Sequence, residues 1–239
     1  MSLLELQRVA KRYRDGQLER VVLRDVSLRI DRRELTVVWG LRGCGRSTLL
    51  RVAAGIEAPD DGVVLFDGRD LSSHGEGVLG VGIGYCQKNL GSGSQIVLDV
   101  VMVALLAAGV SPSQARSRAS EALERARVAS CATLRVSALD TAEAVRVALA
   151  RVIARQPRLL VIDDPIQGVD LLERDGILAL LRSFADGGMA VLASTGEATG
   201  LSGADRTLAL SAGELRGPPP AELAPVVALR PAPVRQAGA

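Results

Sequence analysis

The fold is decided by one stretch near the start of the chain, Gly40-Leu41-Arg42-Gly43-Cys44-Gly45-Arg46-Ser47-Thr48. It follows an apolar run, Leu35–Trp39, and precedes a helical pattern over residues 49–54, so the order is strand, glycine loop and helix. The spacing is that of a phosphate-binding loop, G-x-x-x-x-G-K-[ST], with arginine at the lysine position. Glycines let consecutive backbone N–H groups point at one anion, and the following helix adds its positive end. An ordinary Gly-rich turn has the same composition, so the loop alone leaves both interpretations open.

Length and composition restrict the class of protein. A chain of 239 residues with 48% hydrophobic and 23% charged residues can form one sizeable globular core. The net charge of +2 is too small to indicate a nucleic-acid or membrane-surface partner by itself. Cys44, Cys86 and Cys131 have no metal-binding spacing, which predicts a reducing compartment. The N-terminus lacks a signal-peptide pattern and the longest apolar run, residues 100–110, is too short to cross a bilayer. We therefore expect a cytosolic protein.

Hydrophobic periodicity predicts strands and helices on both sides of the loop. Strands are predicted at residues 3–9, 21–30, 35–39, 63–66, 81–86, 159–162 and 189–194, with a terminal hairpin over 207–216. Helices are predicted at residues 96–108, 111–129, 141–155 and 171–184, beside the helix that follows the glycine loop. Turns are predicted at residues 11–16 and 59–62. This order predicts an α/β fold.

Composition divides the chain into four segments. Residues 1–87 are predicted to form an antiparallel β subdomain and the first part of the core, and residues 139–216 the second part. Residues 88–138 have no strand pattern and predict a helical subdomain inserted into the core. Residues 217–239 are rich in proline and alanine and are expected to be disordered, as a solvated tail or as a partner-docking tail.

A second motif is expected to work with the loop. Two acids, Asp163 and Asp164, directly follow the apolar strand Leu159–Ile162. In a phosphate-loop protein such a strand lies beside the loop. Asp163 would then hold a magnesium ion through water, Ser47 would offer it a hydroxyl group, and Asp164 would face the attacking water.

Together these motifs resemble the ATP-binding cassette family, the nucleotide-binding subunits of ABC transporters, over residues 3–216. Residues 146–151 match the family's RVALAR, residues 167–170 match the loop that crosses the dimer interface, and residues 194–197 match a strand end that normally carries a histidine. The LSGGQ signature corresponds to Leu139, Asp140, Thr141, Ala142 and Glu143. The order of motifs is most similar to cassettes of lipoprotein-releasing, macrolide-efflux and cell-division complexes.

The resemblance implies a P-loop NTPase fold with a mainly parallel core sheet, an antiparallel β subdomain and an inserted helical subdomain. It implies ATP and Mg²⁺ as cofactors, a second cassette and a membrane-spanning permease as partners, no nucleic acid, and a cytoplasmic location at the inner face of the cell membrane. The second cassette can be identical or different. The nucleotide-binding residues implied are Tyr13 (which stacks on adenine), Gly40, Gly43, Cys44, Gly45, Arg46, Ser47, Thr48 and Gln87. The magnesium residues implied are Ser47, Gln87 and Asp163, and the catalytic residues are Asp164 and Arg46.

The chain departs from the family at three positions of its own nucleotide site. Arg46 replaces a compact lysine ammonium by a planar guanidinium. Asp164 replaces a glutamate, and a carboxylate misplaced by about 1 Å can cost about 100-fold in rate. Gly196 stands where a histidine would contact the γ-phosphate, and the only histidine, His74, is expected in a surface loop.

The signature is altered too. Asp140 occupies the serine position, and with Glu143 it is expected to cap the following helix. Its carboxylate would face the γ-phosphate held by the second cassette. We therefore expect ATP hydrolysis to be slow or absent.

Three functions remain open from the sequence. One is a transporter subunit that binds ATP and hydrolyses it slowly, and another is a pseudo-ATPase that acts as a structural or regulatory half of a complex. The third is a soluble cassette in DNA repair or translation, although such members usually carry two cassettes or long coiled-coil insertions, which this chain lacks.

Overall fold

The computed structural model describes residues 2–16, 18–71 and 82–218, and the described strands form two sheets. A four-stranded sheet has the order β2-β1-β4-β5, and a six-stranded sheet has the order β10-β9-β3-β8-β7-β6. The strands are β1 (Ser2–Asp15), β2 (Leu18–Asp31), β3 (Leu35–Trp39), β4 (Asp61–Phe66), β5 (Arg69–Asp70), β6 (Ile83–Cys86), β7 (Leu159–Ile162), β8 (Ala190–Thr195), β9 (Arg206–Ser211) and β10 (Glu214–Arg216).

The four-stranded sheet is antiparallel and is built on the long β1–β2 hairpin. The turn predicted at residues 11–16 is wrong, because β1 continues through these residues to Asp15. Their backbones pair with β2, Tyr13 opposite Arg20 and Asp15 opposite Leu18, and this pairing overrides the turn-like composition. The extension carries Tyr13 towards the glycine loop.

The six-stranded sheet is mainly parallel and brings the two sequence motifs to one edge. β3 pairs in parallel with both β8 and β9, and β7 lies between β8 and β6. β7 and β8 are buried along their whole length, which explains their continuous apolar sequence. The carboxyl ends of β3, β7 and β8 therefore lie side by side, and open α/β sheets bind ligands at this edge.

Helices cover the parallel sheet and complete two cores. The helices are α1 (Arg46–Ala53), α2 (Val97–Leu106), α3 (Pro112–Arg125), α4 (Thr141–Ile153) and α5 (Leu171–Asp186). Alternate residues of β7 enter different cores, since Leu160 and Ile162 pack with α2–α5 while Leu159 and Val161 pack with α1 and the antiparallel sheet. Burial on both faces fixes the sheet between the helices and the antiparallel sheet.

Most of the predicted elements are present with shifted ends. α1 begins at Arg46, three residues before the helical pattern at residue 49, and β5 was not predicted. The predicted disorder of the tail from residue 219 onward and the predicted surface position of His74 lie outside the described residues. Within the described ranges, no helix combines the length and apolarity needed to span a membrane.

Candidate functional site

A cleft of about 810 Å³ lies at the carboxyl edge of the parallel sheet. Tyr13 of β1 lies at its wall, the glycine loop forms its floor, and the ends of β7 and β8 contribute Asp163, Asp164 and Gly196. The other predicted residues in the lining are Gly43, Gly45, Arg46, Ser47 and Thr48. The fold thus collects in one cleft groups that are far apart in the sequence.

The predicted residue Gln87 lines a different cavity. This second cavity, of about 580 Å³, is bordered by β6 and the end of α4, including Tyr85, Arg151 and Pro157. The Gln87 carbonyl oxygen accepts a hydrogen bond from Arg151 Nη2 at 2.8 Å. Two further predicted residues, Gly40 and Cys44, are not among the residues that line the cleft. They pack against each other, since a Cβ atom on Gly40 would lie 2.5 Å from Cys44 Sγ.

The glycine loop has the geometry of an anion cradle. Gly43 and Gly45 have φ angles of +83° and +110°, which L side chains rarely adopt. Gly45 is the N-cap of α1 and offers no side-chain cap. Within the described part of the chain, the N–H groups of Gly45, Arg46 and Ser47 donate to no protein acceptor. Unsatisfied donors at a helix N-terminus are suited to bind a phosphate group.

The Arg46 side chain forms an ion pair with Asp164. Its Nη1 lies 3.2 Å from Asp164 Oδ2, and both side chains are only 13% exposed. Gly196 leaves room for this arrangement, because a Cβ atom there would lie 3.2 Å from Nη1 and 3.3 Å from Nη2 of Arg46. The guanidinium therefore occupies the corner beside Gly196. The candidate base, Asp164, is already in an ion pair.

The backbone of β7 and β8 sets the positions of the two acids. Ser194 Oγ accepts a hydrogen bond from the Asp164 N–H at 3.1 Å and donates one to Asp163 Oδ1 at 2.5 Å. Asp164 has a φ of +45°, a left-handed conformation in which Asp and Asn are enriched. This turn separates the two carboxylates, so that Asp163 is free of Arg46 while Asp164 is not.

Lys88 also contacts the acids of the cleft, although it was not predicted as a site residue. Its Nζ donates a hydrogen bond to the Asp164 carbonyl oxygen. Burial lowers the pKa of the Lys88 ammonium, and the nearby carboxylates of Asp164 and Asp163 oppose this shift. Its position directly after Gln87, at the end of β6 beside β7, is the only signal of its role that the sequence contains.

A network of hydrogen bonds orients Tyr13. Its hydroxyl donates to Glu57 at 2.8 Å and lies 3.3 Å from Thr48 Oγ1. Arg51 holds the same carboxylate through Nε at 3.0 Å and donates to the Tyr13 hydroxyl at 3.2 Å. The ring is thus anchored at its polar end, which leaves its position fixed relative to the loop. Glu57 and Arg51 belong to no sequence motif and were not predicted.

The signature-like residues lie away from this cleft, at the start of α4. Asp140 is the N-cap of α4, and its Oδ1 accepts the Glu143 N–H at 2.7 Å. In return Glu143 Oε2 accepts the Asp140 N–H at 3.0 Å. The predicted capping pair is therefore present. The remaining signature-like residues, Leu139, Thr141 and Ala142, flank this cap.

The donors in the cleft fit a magnesium ion that arrives with phosphate. Among the described residues, no group of three or more His, Cys, Asp or Glu side chains is arranged to hold a metal. Mg²⁺ is usually bound by one or two carboxylates together with substrate phosphates. Ser47 and Asp163 both line the cleft and can supply the protein share of such a site.

A parallel sheet with a glycine loop and an acid at its carboxyl edge defines the class of P-loop NTPases. The family to which the chain belongs follows from comparison with known proteins. The sequence profile of the ABC transporter family matches residues 23–167, and the chain therefore belongs to the ABC transporter family.

Curated relatives carry the names of ATP-binding proteins. An uncharacterised ABC transporter ATP-binding protein of Mycobacterium bovis is 36% identical over 191 residues, which are 77% of this chain and 58% of that protein. The lipoprotein-releasing system ATP-binding protein LolD of Paramagnetospirillum magneticum is 32% identical over 219 residues, 89% of this chain and 96% of LolD. The chain thus spans only a little over half the length of the mycobacterial relative.

Solved structures show the same fold. An ATP-binding cassette dimer in a post-hydrolysis state, bound to ADP and Pi, matches with a TM-score of 0.81 at 23% identity, and covers 91% of this chain and 99% of that one. The predicted fold class, an ABC cassette with parallel and antiparallel sheets, is confirmed.

Alkylation of Cys44 is expected to weaken nucleotide binding several-fold, because any group added to Sγ must displace the loop next to Gly40. Cys86 and Cys131 are buried, and burial raises the pKa of both thiols, that of Cys86 to about 12. Iodoacetamide at neutral pH should therefore modify Cys44 first. Mass spectrometry would give the extent of modification, and titration with a fluorescent nucleotide would give the affinity.

The Cys44→Ala variant, treated with the same reagent, is the control. Its nucleotide affinity should not change on treatment. Full affinity in wild-type protein that is completely modified at Cys44 would contradict the expectation.

Proposed function

We propose that this chain is a nucleotide-binding subunit of an ABC transporter complex and that it binds ATP with Mg²⁺ in the cleft. The observation that carries the proposal is the convergence of Tyr13, the glycine loop and Asp163 on one cavity. Tyr13 would stack on adenine, the N–H groups of the loop would bind phosphates, and Ser47 and Asp163 would hold magnesium. The anchored position of Tyr13 beside Thr48 supports this direction of binding.

Two partners belong to the proposal. A second cassette would present its signature segment to the nucleotide held by the first, so that residues 139–143 of this chain would serve the site of the other subunit. A membrane-spanning permease would dock at the cavity that Gln87 lines. Nucleotide binding at the two acids would be coupled to that cavity through Lys88 and Gln87. The similarity of the chain to LolD, named as the ATP-binding protein of a lipoprotein-releasing system, supports a place in a complex with other subunits. The position of that complex at the cytoplasmic face of the membrane is part of the proposal.

One observation favours a second candidate, a pseudo-ATPase that binds nucleotide without turning it over. Asp164 lies against the Arg46 guanidinium at 3.2 Å. A carboxylate that neutralises a buried arginine is a weak base for water, and Arg46 is held away from the phosphates by the same contact. The two candidates share the binding site and differ only in turnover.

A comparison of nucleotide binding with phosphate release tests both candidates. We expect the purified protein to be stabilised against heat by Mg²⁺ and nucleotide, and the Asp163→Asn variant to lose the magnesium-dependent part of this effect. Phosphate release that disappears in Asp163→Asn supports the slow ATPase, whereas stabilisation without release supports the pseudo-ATPase. The assays should be repeated with the permease, once it is identified.

The Asp25→Asn variant is the control, since Asp25 forms an exposed ion pair with Arg8 on the antiparallel sheet. It should behave like the wild type. The proposed function would be contradicted if the folded wild-type protein bound no nucleotide and was stabilised by none.

A further inference from the structure

Arg46, Asp164 and Gly196 form one physical unit at the far end of the cleft. The Arg46 guanidinium lies between the Asp164 carboxylate, at 3.2 Å, and the Gly196 backbone, where a larger residue would press on both terminal nitrogens. The backbone donors of the loop take no part in this unit. The cleft therefore contains two independent anion-binding features, the backbone N–H groups of the loop and the Arg46 guanidinium, which is already paired with a carboxylate.

The positions of Tyr13 and Arg46 along the cleft indicate which phosphate of a bound nucleotide would reach the Arg46–Asp164 pair. Tyr13 contacts Thr48 on the first turn of α1, whereas Arg46 at the start of α1 contacts Asp164 and the space beside Gly196. If a base stacks on Tyr13 and its phosphates cross the N-terminus of α1, the phosphate furthest from the base reaches the Arg46–Asp164 pair. A diphosphate can use the loop amides and leave the pair intact.

A third phosphate cannot bind in this cleft without affecting the Arg46–Asp164 pair. It either approaches the Asp164 carboxylate as a like charge or takes Arg46 away from it. In the second case the Asp164 carboxylate would lose its ion-pair partner, because Lys88 lies nearby but donates its hydrogen bond to the Asp164 backbone carbonyl oxygen. Breaking a buried pair in this way is strongly unfavourable. Asp164 is 9% exposed, and its Oδ1 already lacks a hydrogen-bond partner among the described residues.

We infer that this site selects a nucleoside diphosphate over the corresponding triphosphate, because the Arg46–Asp164 pair fills the place of the third phosphate. The inference rests on the proposed nucleotide site and specifies its ligand. At equal concentrations of the two nucleotides the site would then hold mainly ADP, and the ATP of the proposed function would bind only when the pair opens.

Two matched substitutions, Asp164→Asn and Asp25→Asn, test this inference. Both aspartates have left-handed backbones, with φ of +45° and +48°, and both lie 3.2 Å from an arginine. They differ in burial, since the side chains of the Asp25–Arg8 pair are 68% and 84% exposed and those of the Asp164–Arg46 pair 13% each. Asparagine accepts the same backbone and removes only the charge.

Isothermal titration calorimetry would measure the affinities for ADP and for a non-hydrolysable ATP analogue, each with Mg²⁺. Wild-type protein is expected to bind ADP at least about tenfold more tightly than the analogue, as the loss of one buried polar partner predicts. Asp164→Asn should bring the ratio of the two affinities close to one by releasing Arg46 to the third phosphate. Asp25→Asn should keep the wild-type ratio.

The possible failures are distinguishable. If wild-type protein binds the analogue as tightly as ADP, or if Asp164→Asn keeps the preference for ADP, the inference is wrong while the nucleotide site stands. If the folded wild-type protein binds neither nucleotide, the proposed function itself is wrong. Should Asp164→Asn fail to fold, Arg46→Lys decides, because its single compact ammonium cannot reproduce the guanidinium contacts and should also reduce the ratio.

Discussion

Replacement of Asp140 by serine is expected to strengthen nucleotide-dependent dimerisation of this chain by up to about 1,000-fold. The carboxylate would face the γ-phosphate of the second cassette in the proposed dimer. At about 4 Å and an effective dielectric constant of about 20, two like charges cost about 4 kcal/mol, and this upper figure corresponds to about three factors of ten. Sedimentation velocity with a saturating non-hydrolysable ATP analogue would measure the change in dimer affinity.

The cap at the start of α4 allows an effect on dimerisation to be separated from an effect on stability. Asp140 and Glu143 form a complete capping box, and serine is an equally good N-cap, so α4 should keep its stability. Asp140→Asn is the second test, because it removes the charge and keeps the size. Both variants should dimerise more tightly and melt at the wild-type temperature. Unchanged dimerisation in both would show that Asp140 does not face phosphate.

Gly45→Ala is expected to abolish nucleotide binding and to destabilise the fold by about 1–3 kcal/mol, the usual cost of a strained left-handed backbone at a site that cannot relax. Gly45 has a φ of +110°, and its added Cβ would lie 2.9 Å from the Val22 carbonyl oxygen of β2. The loop must then move away from the antiparallel sheet. Nucleotide titration and urea unfolding would measure the two effects.

Gly43→Ala is the matched control for Gly45→Ala. Gly43 also has a positive φ, of +83°, but an added Cβ would meet nothing within 4 Å. We expect a smaller loss of stability and of nucleotide affinity, caused by backbone strain alone. Equal losses in the two variants would show that the contact with Val22 does not hold the loop in place.

The parts of the fold that were predicted from the sequence depend on local patterns. Continuous apolar runs identified β3 and β7, because strands buried on both faces need no polar residues. The loop was identified because a phosphate cradle needs glycines at fixed spacing. In contrast, the turn predicted at residues 11–16 was wrong, because pairing with β2 decided the conformation of that segment.

The partners of the side chains in the cleft were not predictable in the same way. Tyr13 was selected because it matches the aromatic residue that the family stacks on adenine, but its anchors, Glu57 and Arg51, are distant in sequence and carry no motif. Lys88 was overlooked because a lysine after a strand is common, and only the position of β6 beside β7 places it on Asp164. Such contacts depend on which strands become neighbours.

The sequence by itself indicated the class of this protein, because the glycine loop, the two acids after β7 and the further motifs resemble one family in their order and spacing, which are local features of the sequence. It also identified Arg46, Asp164 and Gly196 as three separate departures from the family. Only the tertiary structure decided that they are one unit. Arg46 and Asp164 are 118 residues apart in sequence and meet because β3, β7 and β8 end at the same edge of the sheet. The absence of a side chain at residue 196 then leaves the guanidinium room to lie on the acid.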